Sequence, residues 1–184
     1  MLKNKTVVFG VTGGIAAYKS AELVRSCVQA GAHVHVMMTR AAKEFITPLT
    51  LQTLSGHPVH SELFDLTQEQ EIGHISLADR ADIIVIAPAT ADIIAKTAHG
   101  ICDDLITTVL CATRAPILFA PAMNVHMWEN SITQENIKKL QKHGYRFMEP
   151  ATGDLACGYT GKGRLPDPQK ILETISKIVS SKKK

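Results

Sequence analysis

ILFAPAMNVHMW, residues 117–128, sets the reading of the fold. Its first four residues form an apolar run of the length of a buried strand, bounded by a breaker. Pro121 ends the run, because proline donates nothing to a sheet ladder. Ala122, Met123 and Asn124 then fall just past the strand's carboxyl end, where open α/β sheets take their ligands. Asn124 offers two donors and an acceptor on a short stem, suited to a carboxylate or the edge of a planar ring. Met123, Met127 and Trp128, the only tryptophan, supply apolar surface. They read as walls for a ligand; Trp128 reads equally well as a plug for the core.

Upstream, residues 83–87 (IIVIA) are a second buried strand. The loop Pro88-Ala89-Thr90-Ala91-Asp92 follows, with small residues that let a flat ring approach the backbone. Thr90 or Asp92 can cap the next helix. Residues 6–11 are apolar and β-branched, a third strand, and Thr12-Gly13-Gly14-Ile15 leads from it into a helix over 16–30. Ala17, Ala21, Val24 and Val28 make that helix's apolar face, and Gly31 closes it. A strand, a glycine turn and a helix start present backbone N–H groups and a positive dipole to a phosphate. The spacing is neither the dinucleotide fingerprint nor a P-loop. Residues 32–38 alternate as another strand, with His33 and His35 read as structural. Thr39 at its end either reaches the same phosphate or caps a short helix over 41–45. Thr47-Pro48 opens a helix that Gly56 ends, and 58–60 is a short edge strand.

Residues 61–73 are polar and acidic, and long for a connection inside a compact domain. They read as a surface or inter-subunit loop. His74 follows, an imidazole able to take a proton near neutral pH or to cap the turn over 77–80. Residues 102–104 open a helix to about 112, with Leu105, Val109 and Leu110 inward and Cys111 in the core. Residues 131–143 form a helix closed by Gly144, and 145–148 a last strand. Residues 149–168 are rich in glycine and proline and contain Cys157, Lys162 and Arg164. A stretch of this kind reads as a lid, with a thiol near positive charge. A closing helix spans 169–179.

Strands alternating with helices predict a parallel sheet covered on both faces. The expected fold is α/β, a Rossmann-like or flavodoxin-like three-layer sandwich with six strands in the order 3-2-1-4-5-6. Its switch point lies between the strands starting at Thr6 and Ile83. The loops at 12–15, 39–40, 88–92 and 121–124 then converge on one edge. That convergence predicts a phosphate at Gly13-Gly14 and a flat group extending toward Ala91 and Ala122.

The 184 residues suit one domain, over 1–181, with a basic tail at 182–184. The formal net charge of +3 is carried entirely by that tail, so no nucleic-acid footprint is expected. No apolar run approaches ~18 residues, so no membrane partner is expected. Cys27, Cys102, Cys111 and Cys157 show no CxxC spacing, and no secretion signal precedes the first strand. Reduced thiols and a cytoplasmic location follow. The eight histidines are scattered, and no metal is expected.

PAMNVHMW, residues 121–128, resembles the Pro-x-Met-Asn-x-x-Met-Trp motif of the flavin-dependent cysteine decarboxylases. The likeness extends through TGGIAAYKS (12–20), HISL (74–77), APATADIIA (87–95), GICDDL (100–105) and ACG (156–158). It runs from Lys5 to about Pro168 and is closest to the bacterial phosphopantothenoylcysteine decarboxylases. The resemblance implies FMN as cofactor, bound at a subunit interface in a homotrimer or a dodecamer of trimers. It implies a carboxy-lyase of coenzyme A biosynthesis that turns 4′-phosphopantothenoylcysteine, a small molecule, into 4′-phosphopantetheine. The route is oxidation of the thiol end to a thioaldehyde, loss of CO₂ and re-reduction.

By motif matching, His74 is the base, Asn124 holds the substrate carboxylate and Cys157 is the acid. The cofactor-binding residues are Gly13, Gly14, Ile15, Thr39, Thr90, Ala91, Asp92 and Ala122. Asp92 stands where the family carries asparagine, and Asp79 where some relatives carry a base for the substrate phosphate. Arg80, Lys162 and Arg164 are therefore the candidates for that phosphate. Many relatives continue into a synthetase domain, so this chain is expected to be a stand-alone enzyme with a synthetase partner or a piece of a fused one. The alternatives are a peptidyl-cysteine decarboxylase of antibiotic maturation, a non-catalytic flavin-binding regulatory subunit, and a flavodoxin-type electron carrier.

Overall fold

β4 (Ile83–Ala89) and β5 (Ile117–Pro121) are buried at every position, and β1 (Thr6–Val11) at all but its first. Such continuous apolar runs suit central parallel strands with helices on both faces. The computed structural model, which describes residues 2–64, 73–154, 158 and 160–181, has that arrangement. With β2 (His33–Met38), β3 (Val59–His60) and β6 (Arg146–Phe147), the strands form one six-stranded parallel sheet. Its order is β3-β2-β1-β4-β5-β6, as the alternation of elements predicts. Val8 lies beside His35 on one flank and Ile84 on the other.

Side chains alternate between two cores. On one face Phe9, Val11, Val36, Val85 and Leu118 meet α1 (Lys19–Gln29), α2 (Pro48–Ser55) and α8 (Pro168–Ser180). On the other, Val8, Met37, Ile84, Ile86 and Phe119 meet α3 (Gly73–Arg80), α4 (Ala91–His99), α5 (Leu105–Ala112) and α7 (Ser131–Lys142). The helix limits follow local chemistry. Thr47 accepts the Thr50 N–H with Pro48 at the first position, and Gly56 ends α2 at φ 73°. Thr90, rather than Asp92, caps α4 by accepting the Ile93 N–H at 3.3 Å.

Five features differ from the sequence reading. The helix after β1 begins as a 3-10 turn, Ile15–Tyr18, before α1. A short helix, α6 (Val125–Glu129), follows β5, capped by Asn124. The glycine-rich stretch expected as a loop contains an antiparallel hairpin, β7 (Ala151–Asp154) with β8 (Thr160–Arg164). Its residues are poor strand formers, so propensity hid it and tertiary contact makes it. The Met123 N–H donates to the Gly163 carbonyl at 2.9 Å, and Gly161 lies so close to Val125 that a Cβ would stand 2.8 Å from Cγ2. Finally, Cys111 is exposed, because α5 turns Leu105, Ile106, Val109 and Leu110 inward. Val28 is also exposed, since Ser20, Leu23, Val24 and Cys27 form the buried stripe of α1. Burial pushes the Cys27 thiol up to about 12, which leaves it an inert core group.

His35 carries a pH dependence. Its ring lies 4.5 Å from that of His57. Burial, followed by the positive charge of His57, Arg80, His60 and His33, lowers its pKa from 6.5 to about 4. The unfolded chain therefore takes this proton first as pH falls. Stability present above pH 6.5 is lost progressively as the pH falls to about 4. His35→Phe is expected to flatten that part of the acid limb in urea melts between pH 7 and about pH 4. An unchanged limb contradicts the assignment.

Among the described residues no helix is long and apolar enough to cross a membrane, and no group of three or more side chains is placed to hold a metal. Cys157, the tail at 182–184 and most of the acidic loop, residues 65–72, lie outside the described residues.

Candidate active site

Three cross-links fix the loops at the carboxyl edge. Thr12 is buried; its hydroxyl donates to the Pro88 carbonyl at 2.7 Å and accepts the Thr90 N–H at 3.2 Å. The Ser20 hydroxyl donates to the Ala87 carbonyl at 2.8 Å. The Ala122 N–H donates to the Ala89 carbonyl at 3.0 Å. The ends of β1, β4 and β5 are thereby held together, and buried hydroxyls that would otherwise be costly are satisfied.

A cavity of about 450 Å³ opens between these ends, within the size range of small-molecule and cofactor sites. Gly13, Gly14 and Ile15 line one end; Thr90 and Ala91 form a side; Ala122, Met123, Asn124 and Met127 form the other. The end of the hairpin, Gly163 to Leu165, closes it, with Asp154. The two glycines have different reasons. A Cβ on Gly13 would lie 2.4 Å from the Ala41 Cβ and 2.8 Å from its carbonyl carbon. A Cβ on Gly14 would meet no protein atom within 4 Å, so this wall is bare backbone. The Ala17 N–H donates to the Gly14 carbonyl at 2.9 Å. As first-turn amides, those of Ile15 and Ala16 have no carbonyl within the helix to bond.

Asn124 caps α6, its Oδ1 accepting the His126 N–H at 2.8 Å, which places the carboxamide donors at the other end of the group. The cations on the wall are Lys19 and Arg164. Neither forms an ion pair among the described residues. The Asp154 carboxylate accepts the Thr160 hydroxyl at 2.7 Å.

The other expected site residues lie elsewhere. Thr39 accepts the Ala42 N–H at 3.2 Å as the cap of the 3-10 turn Arg40–Glu44, and borders a smaller recess of about 200 Å³. Asp92 is exposed, 3.7 Å from Lys96 one helical turn on. Arg80 bonds back to Ser76 at the end of α3. Lys162 pairs with Glu149 and stands 5.7 Å from the centre of the Trp128 ring. Trp128 itself is buried in the core rather than on the cavity wall. His74 is half-buried in the first turn of α3, with a buried Nδ1 that has no hydrogen-bond partner among the described residues. That helix packs on α5, and none of its residues reaches the cavity. Sequence reading missed Tyr18, Lys19 and Asp154 on the wall. Their position four and five residues after Gly14, in the first turns that follow the glycine pair, was the available signal for the first two.

Residues 1–180 match the Flavoprotein family. The chain belongs to that family. This flavoprotein is 50% identical over 177 residues to the coenzyme A biosynthesis bifunctional protein CoaBC of Bacillus subtilis, covering 96% of this chain and 44% of that one. It is 48% identical over 172 residues to the CoaBC of Escherichia coli, covering 94% and 42%. The chain thus spans less than half the length of these relatives. Among solved structures, a PPC decarboxylase mutant complexed with pantothenoylaminoethenethiol superposes with a TM-score of 0.82 at 29% identity, covering 95% of this chain and 97% of that one. The FMN binding protein AtHal3 gives 0.86 at 29%, covering 99% and 100%. The FMN-dependent cysteine decarboxylase SpaF gives 0.84 at 30%, covering 98% of each.

Proposed function

We propose that this flavoprotein binds FMN in the cavity between Gly14, Ala91 and Asn124 and decarboxylates 4′-phosphopantothenoylcysteine to 4′-phosphopantetheine. The observation that carries the reading is the cavity itself, at the switch point between β1 and β4, with a bare glycine wall at one end and Asn124 at the other. The residues present fit the cofactor. The helix start beyond Gly14 suits a phosphate, and Ile15, Ala91, Ala122, Met123 and Met127 give apolar surfaces for a flat ring system. When bound, FMN supplies the reversible two-electron oxidation of the thiol end that gives the departing carboxylate an electron sink.

This chain's groups do the rest. Asn124 orients the substrate carboxylate through its carboxamide donors. The His74 imidazole takes the thiol proton. Cys157 returns a proton to the carbon that loses CO₂. Because His74 does not reach the cavity of its own chain, a second copy of the chain supplies it. Ile15, Tyr18 and Met127 are exposed at the cavity, and Phe45 and Leu49 are exposed just after the turn Arg40–Glu44 that packs on Gly13, apolar surface that assembly as a trimer or dodecamer would cover. The enzyme works in the cytoplasm, where a synthetase activity, fused or separate, provides the substrate.

The test is incubation of the FMN-loaded protein with 4′-phosphopantothenoylcysteine or with a peptide ending in cysteine, with products weighed by mass spectrometry. Loss of CO₂ from the former alone is expected. Loss from the peptide alone, or from neither, overturns the substrate assignment.

A further inference from the structure

We infer that Arg164 is a second holder of the substrate carboxylate, acting beside Asn124, and that it sets the requirement for a free acid on the cysteine end. The inference rests on the function proposed above. Arg164 ends β8, and the preceding residue is tied to the Asn124 segment: the Gly163 carbonyl accepts the Met123 N–H at 2.9 Å. The arginine side chain passes close to Gly153. A Cβ at Gly153 would stand 2.7 Å from Nη1 and 3.1 Å from Cδ, and the backbone there has φ 155°, which favours glycine. Arg164 lines the cavity, and its side chain runs close beside Gly153, where only a residue without a Cβ leaves it room.

Its electrostatic partner is missing from the described part of the chain. No carboxylate there lies within ion-pair distance of Arg164. Asp154, the acid on the same wall, is engaged by the Thr160 hydroxyl. Lys162, two residues back, is occupied with Glu149. Lys19 is the other cation of the wall, but it lies on the helix that starts at the glycine turn. Arg164 is therefore the cation attached to the Asn124 side. A planar guanidinium on the same cavity as a carboxamide suits a carboxylate, which it can grip with two parallel hydrogen bonds. The contact disappears with CO₂, so substrate is held more tightly than product.

The test uses the FMN-loaded protein and two ligands that lack the thiol. One is the serine analogue of the substrate, which keeps the carboxylate and the phosphate. The other is its decarboxylated counterpart, which keeps the phosphate alone. Binding is followed by calorimetry. Arg164→Ala is expected to weaken the carboxylate ligand on the order of 10- to 100-fold and to leave the decarboxylated one unchanged. Arg164→Lys keeps the charge without the fork and is expected to fall between. Equal weakening of both ligands assigns Arg164 to the phosphate or to the wall and overturns the inference. So does loss of FMN from either variant. Wild-type protein that binds neither ligand overturns the substrate assignment, and the inference with it.

Discussion

His74→Asn protein is expected to keep its flavin and to lose turnover by ~10²–10⁴-fold, the usual contribution of a positioned acid or base. Asparagine retains part of the shape of histidine but accepts no proton near neutral pH. The flavin stays because no residue of α3 lines the cavity. The measurement is CO₂ released per bound FMN; normal release rejects His74 as the base. The proposed division of the site between copies adds a second readout. Mixed assemblies of His74→Asn with a variant that cannot bind flavin bring an intact cavity of one chain to an intact imidazole of the other. Such assemblies are expected to recover turnover, although neither variant has it alone.

Gly13→Val is the partner for that experiment, at FMN concentrations that load only the intact cavities. Three atoms of Ala41, two of them backbone, lie within 3.0 Å of the position a Cβ would take. The turn Arg40–Glu44 has to move, at a cost typical of overpacking, about 1–3 kcal/mol. The glycine turn moves with it, and FMN affinity is expected to fall on the order of 100-fold, since contacts to a bound group depend on backbone placement within about an ångström. Gly14→Ala separates the two effects. Its added methyl meets no protein atom but projects from the cavity wall. It is expected to leave the melting temperature unchanged while weakening FMN. Fluorescence titration and thermal melts check both variants; Gly13→Val protein with wild-type FMN affinity contradicts the placement.

Much of this architecture is written locally in the sequence. Strands such as IIVIA announce themselves by uninterrupted burial, and the Gly56 and Thr47-Pro48 signals bound α2 because proline, glycine and a side-chain cap act within a few residues. The convergence of Gly13, Gly14, Ala91, Ala122 and Asn124 follows from sheet order, once strands and helices alternate. What was hidden depends on distant contact. The β7–β8 hairpin exists against Val125 and Met123, not by its own propensity. Trp128 could be a wall or a plug until the packing of its face against α7 and Lys162 was known. Arg164 stands apart from Lys162 and Arg80 because it lines the cavity without an ion pair among the described residues, while the others bond elsewhere.

Most decisive is a titration of the flavin-free protein with FMN, read from the visible band of the bound isoalloxazine. Saturation at one FMN per chain, with Gly13→Val saturating only at on the order of 100-fold more FMN, is the expected result. A wild-type protein that remains colourless in excess FMN contradicts the flavin site between Gly14 and Asn124, and with it the chemistry assigned to His74 and Arg164.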